Sequence, residues 1–546
     1  MNVYKNFCRE QFDGSGVLTS FGITYPENYN FGYDVVDEMA RLAPEQRALV
    51  WCNMDGAERS FSFGEISLLS SRAANAFSAQ GIKKGDRVLV MLKRHYEYWY
   101  TAVALHKLGA VLIPVTHMLT ADDIVYRLDC AGVRGIVCAP DDAILKKVLK
   151  AAEKSSARPV LWTVQRGAEG FRNLTEDIEK ASPEFKRVPT LASEPMLMYF
   201  TSGTTGYPKG VIHDHTYTLA HILTAKHWQN VDDGGLHLTV AETGWGKASW
   251  GKIYGQWLCG CAVMVFDFEN FDPRNMTSVI NRYGVTSFCA PPTIYRYLVK
   301  KGAARMPSLK YATTAGEALN PEVFKAFLDQ TGLTLMEGFG QTESTLILAN
   351  LVGTTSRPGS MGKPTPLYHV EILRDDGEYA GIGEVGEIVI IPPSDGSQQA
   401  GIFSGYNENQ SLYHYVWRGG VYHTGDTAWR DGDGYFWFNG RIDDVIKTGG
   451  FRVGPFEIEN VLMEHPAVME CSVVGIPDPL RGQAIKAIVV LAPGYEATPT
   501  LQKEIREFCN RRVAEYKWVR VVEFVSEMPK TISGKIRKVE QRPAFS

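Results

Sequence analysis

Apolar residues recur in two periods along most of this chain, and the two periods alternate. Between Phe63 and Gly81, residues Ile66, Leu69, Ala73, Ala76 and Phe77 fall at three- to four-residue spacing. That spacing predicts an amphipathic helix stopped by Gly81. Asp86 to Leu92 (DRVLVML) is a nearly unbroken apolar run and reads as a buried strand. Gly135 to Ala139 (GIVCA) repeats that pattern. A helical face of Ile144, Leu145, Val148, Leu149 and Ala152 follows, and then a strand opening at Val160 (VLWTV). Alternation of this kind predicts an α/β fold with layered, mainly parallel sheet.

Beyond about residue 440 the pattern changes. A Gly-rich turn follows GRIDD, and a helix is expected to open near Pro455. Strands are expected around Val468 to Val474 and Ala484 to Leu491, with a helix from Thr500 to Val513. This is a smaller α+β unit of about a hundred residues. The expected division is a large multi-layer N-terminal domain over 1–442 and a small C-terminal domain over 443–546, with a hinge at Asp443.

Composition narrows the function classes. The 57 Lys plus Arg nearly balance 61 Asp plus Glu, so there is no basic footprint for nucleic acid or an anionic membrane. No stretch approaches the roughly 20 uninterrupted apolar residues of a membrane helix. The N-terminus (MNVYKNFCREQFDGSG) has no apolar core of a secretory signal and no Arg/Ser-rich amphipathic character, so a cytoplasmic protein is expected. The nine cysteines are scattered and form no CxxC, which reads as reduced core thiols. Cys259 and Cys261, in an apolar run, are expected on one face of a strand.

The strongest chemical signal is MLMYFTSGTTGYPKGVIHDH. A strand over Met196 to Phe200 leads into Thr201, Ser202, Gly203, Thr204, Thr205, Gly206 and Lys209, with helical character expected from about Ile212. Glycines let backbone N–H groups crowd an anion, hydroxyls donate further hydrogen bonds and Lys adds a point charge. A strand-to-helix junction suits phosphate. It is not a Walker loop, because two residues separate Gly203 from Gly206 and Gly210 follows Lys209. His213 and His215 lack a third metal ligand and read as helix-surface or capping residues.

With this loop in place the chain resembles the adenylate-forming superfamily of acyl-CoA synthetases, luciferases and peptide-synthetase adenylation domains. The likeness runs from about residue 30 to 540, with the motifs in the family's order. TSGTTGYPKG resembles the phosphate loop, and TAGEALN (Thr314 to Asn320) the adenine-binding segment. EGFGQTES (Glu337 to Ser344) resembles the motif that lines the acyl pocket and ends in a metal-binding Glu. YHTGD (Tyr422 to Asp426) resembles the ribose turn, GRIDDVIKTGGFRVGPFEIE the hinge and coenzyme A loop, and PKTISGKIRK the segment with the catalytic Lys.

The resemblance implies a two-step reaction. A carboxylic acid is first adenylated by ATP, with diphosphate leaving, and the acyl group then passes to coenzyme A. A carboxylate is a poor electrophile, so the chemistry needs charge neutralisation around the α-phosphate rather than an acid–base pair. Lys535 is implied to bridge the acyl carboxylate and α-phosphate, Thr342 to donate to the phosphate, and Glu343 to hold Mg²⁺. Gly316, Glu317 and the Glu337, Gly338 and Phe339 backbone would frame adenine, and Gln341 is a further ATP-binding position. Asp426 and Arg441 would hold ribose. After adenylation the small domain is implied to rotate about Asp443, replacing Lys535 with Gly449, Gly450, Phe451 and Arg452. The two glycines would leave room for a thiol arm, Arg452 suits a phosphate, and Arg481, Lys517 and Arg520 would hold the coenzyme A nucleotide. Many relatives carry Ser where Gly449 stands.

Trp245, Gly246, Lys247 and Gly340 are implied to line the acyl pocket. Acetate-specific members carry Trp at the position of Gly340, so Gly340 predicts a deeper cavity. Each buried CH₂ contributes about 0.8 kcal/mol, which favours longer acids. The chain is most similar to medium-chain acyl-CoA synthetases, with straight, branched and aryl acids all open. The nearest rival is an adenylation enzyme that loads a carrier protein, but no carrier domain or phosphopantetheine site is recognisable after residue 540.

Overall fold

The computed structural model describes residues 3–201, 208–300, 305–317, 319–396, 399–530 and 536–541. Local rules set its elements. Ser62 starts the helix Phe63–Ala79: its hydroxyl accepts from the Glu65 N–H at 3.2 Å, and the Glu65 carboxylate accepts from the Ser62 N–H at 2.8 Å. This reciprocal cap satisfies two donors that the first turn would otherwise orphan. Phe63, Ile66, Ala73, Ala76 and Phe77 are buried, as their spacing predicts. The expected strands at Arg87–Met91, Val133–Cys138 and Val160–Thr163 and the helix Asp142–Lys154 are all present.

Among the described residues, two large sheets organise the chain before residue 442. In the first, the strands run Gly405–Tyr406, Lys209–Asp214, Pro195–Thr201, Val111–Pro114, Arg87–Met91, Val133–Cys138, Val160–Thr163 and Arg172–Asn173. From Pro195–Thr201 onward the pairing is parallel. The second sheet is parallel from Leu335–Gly340 through Tyr311–Ala315, Ser287–Ala290, Leu236–Thr239 and Ala262–Asp267 to Arg47–Asn53. Its other half, including Tyr422–Arg430 and Phe436–Arg441, is antiparallel. The α/β expectation therefore holds, with a large antiparallel extension that the repeating strand–helix pattern did not announce.

The phosphate-loop segment corrects one expectation. Pro195–Thr201 and Lys209–Asp214 form an antiparallel hairpin with Thr201 opposite Lys209, and the next helix starts only at Thr216. Val211 and Ile212 lie between two strands of the first sheet, a setting that favours β-branched residues in extended backbone. The loop therefore joins two strands rather than a strand and a helix. Cys259 and Cys261 are also not on one strand. Cys259 follows the helix Tyr254–Leu258 and Cys261 precedes the strand Ala262–Asp267, both buried in packing.

The C-terminal segment matches its reading closely. Phe451–Val453, Ile446–Thr448, Gly482–Leu491, Val468–Asp478 and Val519–Phe524 form one sheet, covered by the helices Pro455–Met463 and Pro499–Asn510. Ile446, Ile458, Leu462, Val473, Ile485, Ile505 and Val522 share a core that is separate from the two cores of the preceding sheets. The single turn Ile442–Asp444 connects this unit to Phe436–Arg441, and Asp443 is exposed on it. Gly454 lies directly against Asn439, where a Cβ would collide with its backbone oxygen, and Phe456 packs edge-on against Phe438 at 5.5 Å.

Candidate active site

The strands Tyr311–Ala315 and Leu335–Gly340 are parallel neighbours, with Thr314 opposite Glu337 and Ala315 opposite Gly338. Their C-terminal ends carry TAGEALN and EGFGQTES out of the sheet side by side, which is where open α/β sheets place ligands. Gly316 takes φ +100°, a conformation that L side chains rarely adopt. Glu317 accepts a hydrogen bond from Thr293 at 2.8 Å. Glu337 is buried and its Oε1 accepts from the Leu319 N–H at 3.2 Å, while Oε2 has no partner among the described residues. Burial pushes this carboxyl up to about 8, so it is largely protonated at neutral pH. Gly338 is packed against Leu346 and Trp228, and Phe339 lies half-buried beside it.

The Gln341–Glu343 turn is the junction of the site. Lys209, from the hairpin of the first sheet, reaches Glu343 Oε1 at 2.9 Å, and the Tyr406 hydroxyl donates to the same oxygen at 2.9 Å. Lys209 also donates to Tyr406 at 3.0 Å and lies over its ring. Burial alone would raise the Glu343 carboxyl, but the charge and hydrogen bond of Lys209 and the Tyr406 hydroxyl together hold it below the ordinary value. An ionised carboxylate is thus kept inside the protein beside a cation. His213 fixes the middle of the turn by donating from Nε2 to the Thr342 carbonyl at 2.7 Å. A Cβ on Gly246 would stand 3.7 Å from the Thr342 hydroxyl oxygen.

The Tyr422–Asp426 turn is tied to this junction through Gln341. Gln341 Nε2 donates to the Thr424 carbonyl at 2.7 Å and to Asp426 Oδ2 at 2.5 Å, while its Oε1 accepts from Tyr422 at 2.8 Å. Gln341 therefore braces Asp426. Arg441 lies opposite Asp426 in the strand pair and bonds it at 3.3 Å. Burial lowers the Arg441 affinity for its proton, but Asp426, Asp443 and Glu343 more than restore it. Glu387 holds the turn from behind by accepting from the Gly425 N–H at 2.8 Å.

Several expectations meet corrections here. His213 and His215 are not surface residues: both are fully buried, and burial pushes their imidazoles down to about 4. His213 stacks on Tyr217 at 3.9 Å. His215 sits at the start of the helix Thr216–Ile222, but its side chain caps nothing. Gly340 does not open onto empty space either. A Cβ there would collide with the Thr345 carbonyl oxygen and stand 2.6 Å from the Trp250 indole, so backbone and Trp250 together take the room that a side chain at 340 would need. Trp245 and Gly246 lie at the start of the helix Lys247–Gly251, and Lys247 Nζ donates to the Ala315 carbonyl. Ser202, Gly203, Thr204, Thr205, Gly206 and Lys535 lie outside the described residues, as does the side chain of Arg452. Thr201 is described, and its buried hydroxyl has no partner among the described residues.

In the C-terminal sheet, Gly449 (φ +56°) and Gly450 (φ +84°) form the turn between Ile446–Thr448 and Phe451–Val453. Arg481 presents its carbonyl to the Gly449 N–H at 2.8 Å, and Phe451 stacks on Tyr516 at 4.6 Å. Lys517 reaches Glu457 at 2.5 Å, so its charge is already partnered, and Arg520 lies over Trp518. Sequence reasoning missed Tyr406, Glu387 and Trp250. Only Trp250 left a trace, in TGWGKASW next to the positions expected to line the acyl pocket.

Comparison with known proteins agrees with this geometry. Residues 36–406 match the model of the AMP-binding enzyme family and residues 457–535 match the AMP-binding enzyme C-terminal domain. The chain belongs to the AMP-binding enzyme family. It is 39% identical over 535 residues to the human acyl-coenzyme A synthetase ACSM3, mitochondrial, covering 96% of this chain and 90% of the relative. Among solved structures it is similar to the anthranilate CoA ligase AuaEII in complex with anthranoyl-AMP, with TM-score 0.86, 26% identity and coverage of 95% and 97%. It is also similar to a benzoate CoA ligase from Burkholderia xenovorans LB400, with TM-score 0.82, 25% identity and coverage of 94% and 100%. No helix among the described residues is long and apolar enough to cross a membrane. The ACSM3 name includes mitochondrial, so it lends no support to the cytoplasmic location expected from the N-terminus.

Proposed function

We propose that the chain, as an AMP-forming acyl-CoA synthetase, converts a medium-chain, branched or aryl carboxylic acid, ATP and coenzyme A into acyl-CoA, AMP and diphosphate through an acyl-adenylate. The observation that carries the reading is the Gln341–Glu343 turn, which links Lys209 of the phosphate hairpin to Asp426 of the ribose turn. A nucleotide seated there would meet cationic, hydroxyl and carboxylate groups already held in position, so little reorganisation is needed as charge shifts at the α-phosphate.

In this reading Thr342 donates to the α-phosphate and Lys535 neutralises the acyl carboxylate and the phosphate as they approach. Asp426 and Arg441 orient ribose. Gly316, Glu317 and the Glu337 to Phe339 backbone frame adenine. Glu343 suits Mg²⁺, because it is a buried carboxylate held ionised beside the Lys209 ammonium. Mg²⁺ favours one or two carboxylates together with substrate phosphates and water, and would supply charge neutralisation there. The attacking carboxylate oxygen bonds to the α-phosphorus as diphosphate leaves. The coenzyme A thiol then bonds to the acyl carbon as AMP leaves.

For the second step we place the division at 442/443, with Asp443 as the hinge. The separate core of the C-terminal sheet and the exposed single turn Ile442–Asp444 favour it. Gly449, Gly450, Phe451, Arg481 and Arg520 would meet coenzyme A, Lys517 would do so on leaving Glu457, and Arg452 would meet a phosphate of ATP. We place the enzyme in the cytoplasm, and fractionation of cells expressing the tagged full chain tests that against a mitochondrial location.

The direct assay is diphosphate release with ATP and Mg²⁺ across acids from acetate to decanoate, plus branched acids and benzoate, with and without coenzyme A. Coenzyme A-dependent turnover peaking on medium-chain, branched or aryl acids is the expected result. Acetate as the best substrate overturns the pocket reading, and turnover indifferent to coenzyme A overturns the choice of acceptor.

A further inference from the structure

Near its N-terminus the chain forms a hairpin, Cys8–Phe12 paired antiparallel with Leu18–Ile23, that is a sheet of its own. The hairpin precedes residues 36–406, the stretch that matches the AMP-binding enzyme model. Glu10 Oε1 accepts a hydrogen bond from His227 Nε2 at 2.6 Å, and both side chains are largely buried. That bond holds the Glu10 carboxyl below its ordinary value against the opposing effect of burial. The rings of Phe12 and Phe21 flank the same imidazole at 5.9 and 6.0 Å. The hairpin meets a second segment at Gly353, where a Cβ would stand 3.1 Å from the Val17 side chain. The two segments are themselves joined, because the Val352 N–H donates to the His227 carbonyl at 2.7 Å.

Both segments also hold one stretch of backbone in the strand Leu335–Gly340. His227 lies in a widened helical turn, Leu223–Trp228, in which the Gln229 N–H reaches the Thr224 carbonyl, five residues back, at 2.9 Å. Turns of this kind are rare and are frequent at functional sites. The next residue, Trp228, is fully buried. Its Nε1–H donates to the Met336 carbonyl at 3.1 Å, and its indole fills the space beside Gly338. From the other segment, Asn350 donates to the Glu337 carbonyl through its backbone N–H at 3.0 Å and its Nδ2 at 3.2 Å. Two routes from the hairpin therefore converge on Met336–Gly338. We propose that the hairpin is a positioning element for the Glu337–Phe339 backbone, acting mainly through the Glu10–His227 pair, and thereby sets the affinity for ATP. The proposal rests on the acyl-CoA synthetase reading, in which that backbone frames adenine. Removing one member of a poorly solvated pair leaves the other without its partner, so the contact resists opening.

The test is Glu10→Gln in the full-length protein, read by ATP–diphosphate exchange and, separately, by thioester formation from supplied acyl-adenylate. The KM for ATP should rise about three- to tenfold, with kcat for exchange and the KM for coenzyme A within about twofold of wild type. Trp228→Phe, which keeps a ring but loses the bond to Met336, should raise the same constant. The double variant should lose less than the product of the two single losses. Linkage adds a measurement that needs no variant. If the docked hairpin favours nucleotide, a bound non-hydrolysable ATP analogue must favour docking, and amide hydrogen exchange across the hairpin should slow by a similar factor. Where Glu10→Gln does not fold, this measurement decides alone. Hairpin exchange unchanged by saturating analogue overturns the proposal, as does a folded Glu10→Gln protein with the wild-type KM for ATP. A variant whose kcat and both KM values worsen together also overturns it, and makes the pair a general stabilising contact. Wild-type protein with no acid-dependent ATP–diphosphate exchange overturns the synthetase reading and the proposal with it.

Discussion

The Gln341–Glu343 turn and the Gly449–Gly450 turn are built in opposite ways. The first is buried, and partners from both large sheets hold it: Lys209 and Tyr406 on Glu343, His213 on the Thr342 carbonyl, and Asp426 and Tyr422 on Gln341. The second is exposed, with two residues of positive φ and a Phe451 side chain that is 52% accessible. In the proposed reaction, the difference suits what each half-reaction would ask of the protein. Charge developing at a phosphate is stabilised by groups fixed in a poorly solvated place. A long thiol cofactor arriving from solvent needs an open edge with bare backbone.

Five substitutions press on that contrast. The largest effect is expected from Glu343→Gln, which keeps the shape and a hydrogen bond to Tyr406 but removes the charge. ATP–diphosphate exchange should fall by about a thousandfold, with a much smaller loss in thioester formation from supplied acyl-adenylate. Lys535→Ala should divide the half-reactions in the same way. Equal losses in both steps would erase the distinction.

Trp250→Ala should lower unfolding stability by about 3–5 kcal/mol, read from denaturant titration. It should also move the acid preference toward bulkier substrates by opening the room beside Gly340. An unchanged size profile in a folded variant would remove Trp250 from the acyl wall.

Glu337 supplies a pH signature for the buried region. Its carboxyl is raised from 4.5 to about 8, so the folded state holds the proton more tightly than the unfolded state does. The stability from the neutral form is fully present below about 4.5 and is lost as pH rises through about 8. Glu337→Gln, which cannot ionise, should flatten that decline and gain on the order of 3 kcal/mol at pH 8 relative to wild type. Parallel stability–pH curves for the two proteins would show that Glu337 does not carry the linkage.

The smallest effect should come from the exposed turn. Gly450 sits at φ +84°, where a β-branched side chain is strained by about 1–2 kcal/mol. Gly450→Val should raise the KM for coenzyme A on the order of tenfold, with a much smaller change in diphosphate exchange. If exchange fell as far as thioester formation, the two turns would not be serving separate steps.

Much of the molecule was legible before any coordinates. The helix Phe63–Ala79, the buried strands of the first sheet and nearly every element after residue 442 follow from periods of 3.6 and 2. Misreadings fell where tertiary pairing outweighed the local pattern. His213 and His215 look like surface histidines of a helix, yet pairing with Pro195–Thr201 extends His213, which stacks on Tyr217, and His215 lies buried beside His106. Gly340 reads as a missing wall because a motif reports its own side chain and not the one that fills its place.

The chain by itself determined the two periodic architectures, the order of the motifs and the identities of Lys209, Glu343 and Asp426, since these depend on residue type and short-range spacing. Only the tertiary structure decided that Tyr406 and Lys209 share one oxygen of Glu343, that Gln341 braces Asp426, and that Trp250 stands beside Gly340. Those contacts join residues far apart in sequence. Each is set by how strands and helices distant in the chain pack together, and no local pattern encodes the distance between side chains that meet there.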